Sequence, residues 1–364
     1  MTPPSDEKQR VASLLARLVE AQLPEWELPG GEVRVVAPAS AGDDCAVLDF
    51  SGEVSLVCGS DYVRGAKFAL FELGLMSYYD VGRYLAAANL SDIAAMGAQP
   101  IGLLSVVRYP PELPDADFDA VLEGIRDAAS QHGCAVLGGD TGGAERLILS
   151  ASALGICERG KALLRSTAQR GDLVCLTGSI GAPAAALLHF VQPAEDRAKI
   201  EKPHEDDLLL AWRRPQPRVD QGRLLSVHGF ASACQDVSDG LRATVTELAA
   251  ASGVRIVLDE QAIPIDSAAE RVARLAALEP LALAMSASVD FELLFTTPPA
   301  HLEALKKAFA EAAFDLHVIG RATEGAGARL KRRDGSITEL PGIEWRHQQE
   351  DVTAMLRARL ARSE

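Results

Sequence analysis

Apolar residues recur at two periods along this chain, and the two alternate through most of its length. Val11, Leu14, Leu15, Leu18 and Val19 fall on one helical face behind Ser5, with Asp6 and Glu7 in the first turn, which predicts a capped amphipathic helix to about Leu23. Pro29-Gly30-Gly31 ends it, and β-rich runs follow at 33–36, 46–49 and 54–61. Residues 68–77 read as a loop or short helix. A helix starting near Tyr78 carries Asn89 and Asp92, which lie three apart and so share a face, while Leu90, Ile93, Ala94 and Met96 supply packing. A strand at 101–107, a helix at 115–132 and a strand at 134–137 come next, the last running into Gly138-Gly139-Asp140-Thr141-Gly142-Gly143. Residues 147–156 form another strand.

Glycine and charge interrupt the pattern at 158–170, and the alternation then resumes. A strand at 173–177 leads through Gly178-Ser179-Ile180-Gly181 to a helix ending near Phe190. Residues 191–207 read as polar and irregular. A helix follows Pro217-Arg218-Val219, and a short strand at 231–235 delivers Asp236-Val237-Ser238-Asp239-Gly240. Helix, strand, strand and helix are expected at 241–252, 254–258, 291–297 and 300–313. Helices crossing between strands predict mixed or parallel sheets in two α/β (α+β) domains, divided at 1–157 and 158–364. A length of 364 residues agrees with two domains.

Charge narrows the partners. A net charge of −15 argues against nucleic acid or an anionic membrane as partner, since both need clustered Lys and Arg. Met1 to Arg10 lacks an apolar signal core, and no run approaches the length of a membrane span. Six dispersed cysteines without a Cys-x-x-Cys pair predict core thiols in a reduced cytoplasmic compartment.

The candidate chemistry lies in the acids. Asp43 and Asp44, Asp61, Asp92, Asp140, Asp236 and Asp239 each stand beside Gly, Ser or Thr at the ends of elements. Taken singly, each reads as a turn or helix-capping residue. If most of them converge they need cations, because like charges about 4 Å apart repel by roughly 4 kcal/mol at an effective dielectric near 20. Oxygen ligands without His or Cys point to magnesium, and magnesium beside glycine-rich turns points to phosphoryl transfer. No Gly-x-x-x-x-Gly-Lys-Ser/Thr loop, Gly-x-Gly-x-x-Gly fingerprint, Ser-His-Asp set or His-Glu-x-x-His motif is present.

In order and spacing, Gly42-Asp43-Asp44, Ser60-Asp61, 89–98, Gly138-Gly139-Asp140-Thr141, Arg165-Ser166, Thr177-Gly178, Pro217-Arg218-Val219, Asp236-Val237-Ser238-Asp239-Gly240 and Asp290-Phe291-Glu292 resemble the thiamine-monophosphate kinase family over about residues 40–347. The resemblance implies a two-domain fold like that of aminoimidazole ribonucleotide synthetase, paired into a homodimer through its N-terminal mixed-sheet domain. It further implies ATP as co-substrate, several magnesium ions, and γ-phosphoryl transfer to thiamine monophosphate without a covalent nucleophile. By the same resemblance Asp44, Ser60, Asp61, Asp92, Asp140, Asp236 and Asp239 are metal ligands, and Gly139, Asp140, Arg165 and Ser238 lie at the nucleotide. Lys67, Asp290 and Trp345 are then candidates for the acceptor side.

Departures cluster on that acceptor side. Gly65-Ala66-Lys67-Phe68 replaces the family's Gly-x-His-Phe, Val289 stands where an acid is usual, and Gly142-Gly143 replaces Thr-Arg or Thr-Ser. Lys67 could bind a substrate phosphate or be a solvated lysine, and Trp345 could pack on substrate or in the core. Two alternatives follow: an ATP-dependent enzyme of the same superfamily with a different small phosphorylated acceptor, and a catalytically silent nucleotide-binding dimer.

Overall fold

The computed structural model describes residues 26–28, 31–37, 43–50, 52–63, 68–192, 200 and 202–342. The helix expected before Leu23, Lys67 and Trp345 lie outside the described residues. Seven strands build the first sheet: β1 (Trp26–Leu28), β2 (Gly31–Ala37), β3 (Ala46–Phe50), β4 (Val54–Val63), β5 (Gln99–Tyr109), β6 (Ala135–Gly143) and β7 (Ile148–Glu158). Their spatial order is β1-β2-β3-β4-β7-β5-β6, antiparallel throughout except for the β5–β6 pair. That parallel pair exists because a helix separates its strands in sequence, whereas tight connections permit only antiparallel neighbours.

The short α1 (Ala69–Glu72) precedes α2 (Tyr78–Ala95), the central helix of the molecule. Ser77 caps α2 reciprocally with Asp80: the Asp80 N–H donates to Ser77 Oγ at 3.2 Å, and the Ser77 N–H donates to Asp80 Oδ2 at 2.9 Å. Almost all of α2 is buried, so its apolar residues encircle it instead of forming one stripe. It crosses α3 (Asp115–Ser130) very closely. A Cβ at Gly82 would lie 2.1 Å from the Val121 carbonyl oxygen, and one at Gly124 2.1 Å from that of Tyr79.

The second sheet contains β8 (Leu173–Leu176), β9 (Ala233–Asp236), β10 (Arg255–Asp259), β11 (Leu293–Thr297), β12 (His317–Thr323), β13 (Gly327–Lys331) and β14 (Ile337–Thr338). It is ordered β14-β13-β10-β12-β8-β11-β9, with β10–β13 its single parallel pair. Around it pack α4 (Ala182–Phe190), α5 (Lys202–Arg213), α6 (Val219–Val227), α7 (Leu241–Ser252), α8 (Ser267–Leu275), α9 (Pro280–Ala284) and α10 (Leu302–Glu311). Both sheets are thus mixed, and predominantly antiparallel.

Two local expectations change. Residues 202–207, the end of the 191–207 stretch read as polar and irregular, open the helix α5, because Leu208, Leu209 and Trp212 further along it share a buried face. The Gly138 to Gly143 stretch is the end of strand β6 and not a turn. Gly138 and Gly139 adopt φ of 152° and 155°, and a Cβ at Gly139 would lie 1.8 Å from the Ser105 carbonyl oxygen. Its glycines serve close strand pairing.

Candidate active site

Three carboxylates from distant parts of the chain meet where the two sheets approach. Asp44 comes from the turn before β3, Asp92 from the last turn of α2, and Asp236 from the end of β9. One oxygen from each lies within 4.8 Å of the others. Asp92 is mounted at the meeting point by a helix that is tied to the neighbouring strand. Its Asn89 side chain donates to the Leu85 carbonyl at 2.9 Å and accepts the Asp61 N–H at 3.0 Å, so α2 is fastened to β4. A Cβ at Gly59 would stand 2.7 Å from Cys45 Sγ and 3.8 Å from Asp92 Oδ2, so β4 leaves room beside the carboxylates only with glycine there.

Hydrogen bonds fix the other two acids. Asp236 Oδ2 accepts the Ser91 hydroxyl at 2.6 Å, and its Oδ1 accepts that of Ser238 at 3.0 Å. Arg165 donates its Nη2 to Asp44 Oδ1 and its backbone N–H to Asp43 Oδ1 at 2.8 Å. The Arg165 carbonyl in turn accepts the Ser252 hydroxyl at 2.8 Å, tying the segment between the sheets to α7. The Asp44 side chain is only 6% exposed, and its Oδ2 is buried without a hydrogen-bond partner in the structure. Burial, opposed by Arg165, pushes the Asp44 carboxyl up to about 7, and burial also raises Asp236 against its two serine bonds. The group therefore resists ionisation unless a cation shares it. An all-oxygen set with an orphaned oxygen suits a hard divalent ion such as magnesium. The Cys45 thiol beside it is pushed well up by burial and then by Asp92 and Asp44, so it stays protonated and contributes no thiolate.

The remaining predicted site residues take other positions. Asp61, Asp140 and Asp239 do not belong to the three-carboxylate group, the only such group among the described residues. Asp61 Oδ1 accepts the Tyr62 N–H at 2.6 Å, and Ser60 donates to the Ala151 carbonyl at 2.8 Å. Asp140 is 65% exposed on β6 and pairs with Arg108 at 2.5 Å. The register sets Asp61 opposite Ala151, Ser105 and then Gly139 across β4, β7, β5 and β6, so Asp61 and Asp140 are roughly 14 Å apart in strand spacing. Ser238 reaches the site through Asp236, and Gly139 lies against the Ser105 backbone.

Asp290 sits under the start of α4, where its Oδ1 accepts the Gly181 N–H at 2.7 Å. Gly181 has φ 101°, a left-handed value that suits glycine. Beside it, Glu292 accepts Arg218 Nε at 2.9 Å and the Thr177 hydroxyl at 2.6 Å, which joins three of the recognised motif pieces in one buried hub. Phe291 between the two acids has φ 54°, a strained value for an aromatic residue held on both sides. Ser91 and Glu247 escaped the sequence reading. Ser91 could have been suspected from its position next to Asp92. Glu247, 3.9 Å from Arg165, had no local signal.

Fold and site together define a two-domain α/β protein of the AIR synthase related type: the N-terminal domain of that family matches residues 42–157 and its C-terminal domain matches 169–333. The chain is 33% identical over 307 residues to the thiamine-monophosphate kinase of Pyrococcus horikoshii, covering 84% of this chain and 90% of that protein. Among solved structures, the thiamine-monophosphate kinase from Stenotrophomonas maltophilia K279a is similar with a TM-score of 0.68 at 31% identity, over 90% of this chain and 95% of that one. The structure of AaThiL complexed with AMPPCP and TMP has the same fold, with a TM-score of 0.74 at 24% identity over 94% and 97% of the two chains. The chain belongs to the thiamine-monophosphate kinase family.

Proposed function

We infer that the protein transfers the γ-phosphoryl group of ATP to the phosphate of thiamine monophosphate. The bond from the γ-phosphorus to ADP breaks, one forms to an oxygen of the acceptor phosphate, and the products are ADP and thiamine diphosphate. Family membership supports the reaction, and the observation that carries it to a site is the convergence of Asp44, Asp92 and Asp236 around a partnerless buried oxygen. Phosphoryl transfer needs positioning and charge neutralisation more than a covalent nucleophile, and the site supplies a fixed carboxylate frame.

Asp44, Asp92 and Asp236 would hold magnesium, which when bound neutralises phosphate oxygens and the charge that develops during transfer. Arg165 orients Asp44, and Ser91 and Ser238 orient Asp236. The resemblance supports parallel roles for Ser60, Asp61, Asp140 and Asp239 toward further ions and the nucleotide. It also supports Asp290, Lys67 and Trp345 on the acceptor side. We keep the domain division at 157/158, supported by the fact that the first sheet's last strand ends at Glu158 and the second sheet's first strand begins at Leu173.

The outer face of the first sheet supports a homodimer. Phe50, Val54, Tyr62, Leu104, Ile148 and Ile156 are all exposed there on β3, β4, β5 and β7, a contiguous apolar surface of the kind that marks an interface. Six free thiols suit a reduced cytoplasmic compartment, and no described helix is long and apolar enough to cross a membrane. The reaction is tested by incubating purified protein with ATP, magnesium and thiamine monophosphate and resolving the products. Thiamine diphosphate with one ADP per turnover is expected. ATP binding without that product, alongside turnover of another phosphorylated acceptor, would replace the assigned substrate.

A further inference from the structure

Arg108 belongs to none of the recognised motifs, yet the structure places it on the Asp140 strand end. β5 and β6 run parallel with Val106 opposite Asp140 and Arg108 opposite Gly142. The Arg108 side chain crosses to Asp140, with Nη2 2.5 Å from Oδ2. On the way it passes over Gly142, where a Cβ would stand only 2.2 Å from Arg108 Nη1. A side chain at 142 would push the flexible end of the arginine aside, so glycine there leaves this position open to it.

The pair itself is weak. The two side chains are 36% and 65% exposed, and an ion pair of that exposure contributes about 0–1 kcal/mol. Asp140 thus aims the guanidinium without consuming it: one N–H is engaged there, and an arginine carries five in a planar fork. Such a fork matches phosphoryl oxygens, and in a chain of net charge −15 it offers a polyanionic ligand a local attraction.

We propose that Arg108, seated over Gly142 and aimed by Asp140, binds phosphoryl oxygens, either those of the nucleotide or those of the phosphorylated acceptor. The assignment rests on the kinase reading above. It is tested on the full chain with Arg108→Ala, Arg108→Lys and Gly142→Ala. Calorimetric binding of magnesium AMPPCP and of thiamine monophosphate is measured separately, with steady-state constants for both substrates and melting temperatures.

Arg108→Ala is expected to weaken one of the two ligands by about tenfold or more and raise its KM. The other ligand's dissociation constant and the melting temperature stay near wild type, and the ligand affected identifies the phosphate. Arg108→Lys should fall between, as a point charge without the fork. Gly142→Ala should reproduce the loss by displacing the arm. Unchanged affinity for both ligands in Arg108→Ala overturns the proposal, as does wild-type affinity in Gly142→Ala. Loss of both ligands together with a lowered melting temperature also overturns it, since that pattern marks a structural residue. Failure of the wild type to make thiamine diphosphate, with nucleotide affinity still dependent on Arg108, would count against the assigned acceptor and leave this assignment standing.

Discussion

At the scale of single residues, Asp44 has two oxygens with different fates. Oδ1 is held by Arg165, and Oδ2 is buried with no partner. Removing one carboxylate from the group removes a ligand while keeping the shape. Asp92→Asn and Asp44→Asn are each expected to lower turnover by at least about a hundredfold with an unchanged circular dichroism spectrum. The rise in melting temperature that magnesium gives the wild type should disappear in both. Asp290 carries a pH dependence of a different origin. Burial pushes its carboxyl up to about 7 in the folded protein, against 3.8 for a free side chain. Between these values the folded state binds more protons than the unfolded one, so this group lowers stability as pH rises from about 4 to about 7. Asp290→Asn keeps an acceptor for the Gly181 N–H and abolishes the ionisation. Its stability gain in urea titrations should reach about 4 kcal/mol at pH 8 and shrink toward zero near pH 4.

At the scale of elements, the contact of α2 with α3 depends on two glycines facing the opposite backbone. Gly82→Ala would drive a methyl into the Val121 carbonyl, and neither helix can retreat, because α2 is also bolted to β4 through Asn89. A loss of about 3 kcal/mol is expected, read from the urea midpoint, with Ala at an exposed helical site such as Leu122 as the control. The elements themselves were largely legible. The helix from Tyr78, the strands around Asp61 and Asp236, and the turn to Gly181 follow from periodicity, caps and glycine placement. Two were not. The α5 segment hides its buried face among charges, and the Gly138 to Gly143 strand is written in residues that disfavour strands, because backbone closeness to Ser105 outweighs propensity there.

Across the whole molecule, the three-carboxylate group exists only when both sheets are docked. Asp44 and Asp92 stand on one side of the 158–170 segment, Asp236 on the other, and Arg165 within it. The apolar outer face of the first sheet predicts association of two copies. Leu104→Glu places a charge in that face, and analytical ultracentrifugation is expected to show a dimer for the wild type and a monomer for the variant. A wild type that sediments as a monomer at micromolar concentration would remove the dimer from the functional reading.

The sequence by itself determined the acidic residue types, their order, the helix that mounts Asp92 and the oxygen-only chemistry that favours magnesium. These are properties of local composition and spacing, and they survive without knowledge of the partners in space. Only the tertiary structure decided which acids meet. It joined Asp44, Asp92 and Asp236 in one tight group that does not include Asp61, Asp140 or Asp239, because strand register and helix packing set distances that spacing along the chain does not contain. It also made Arg165 a buried partner of Asp44 and brought Arg108 to Asp140 across an open glycine. Both are contacts between strangers in sequence, settled by the docking of the sheets and the pairing of β5 with β6.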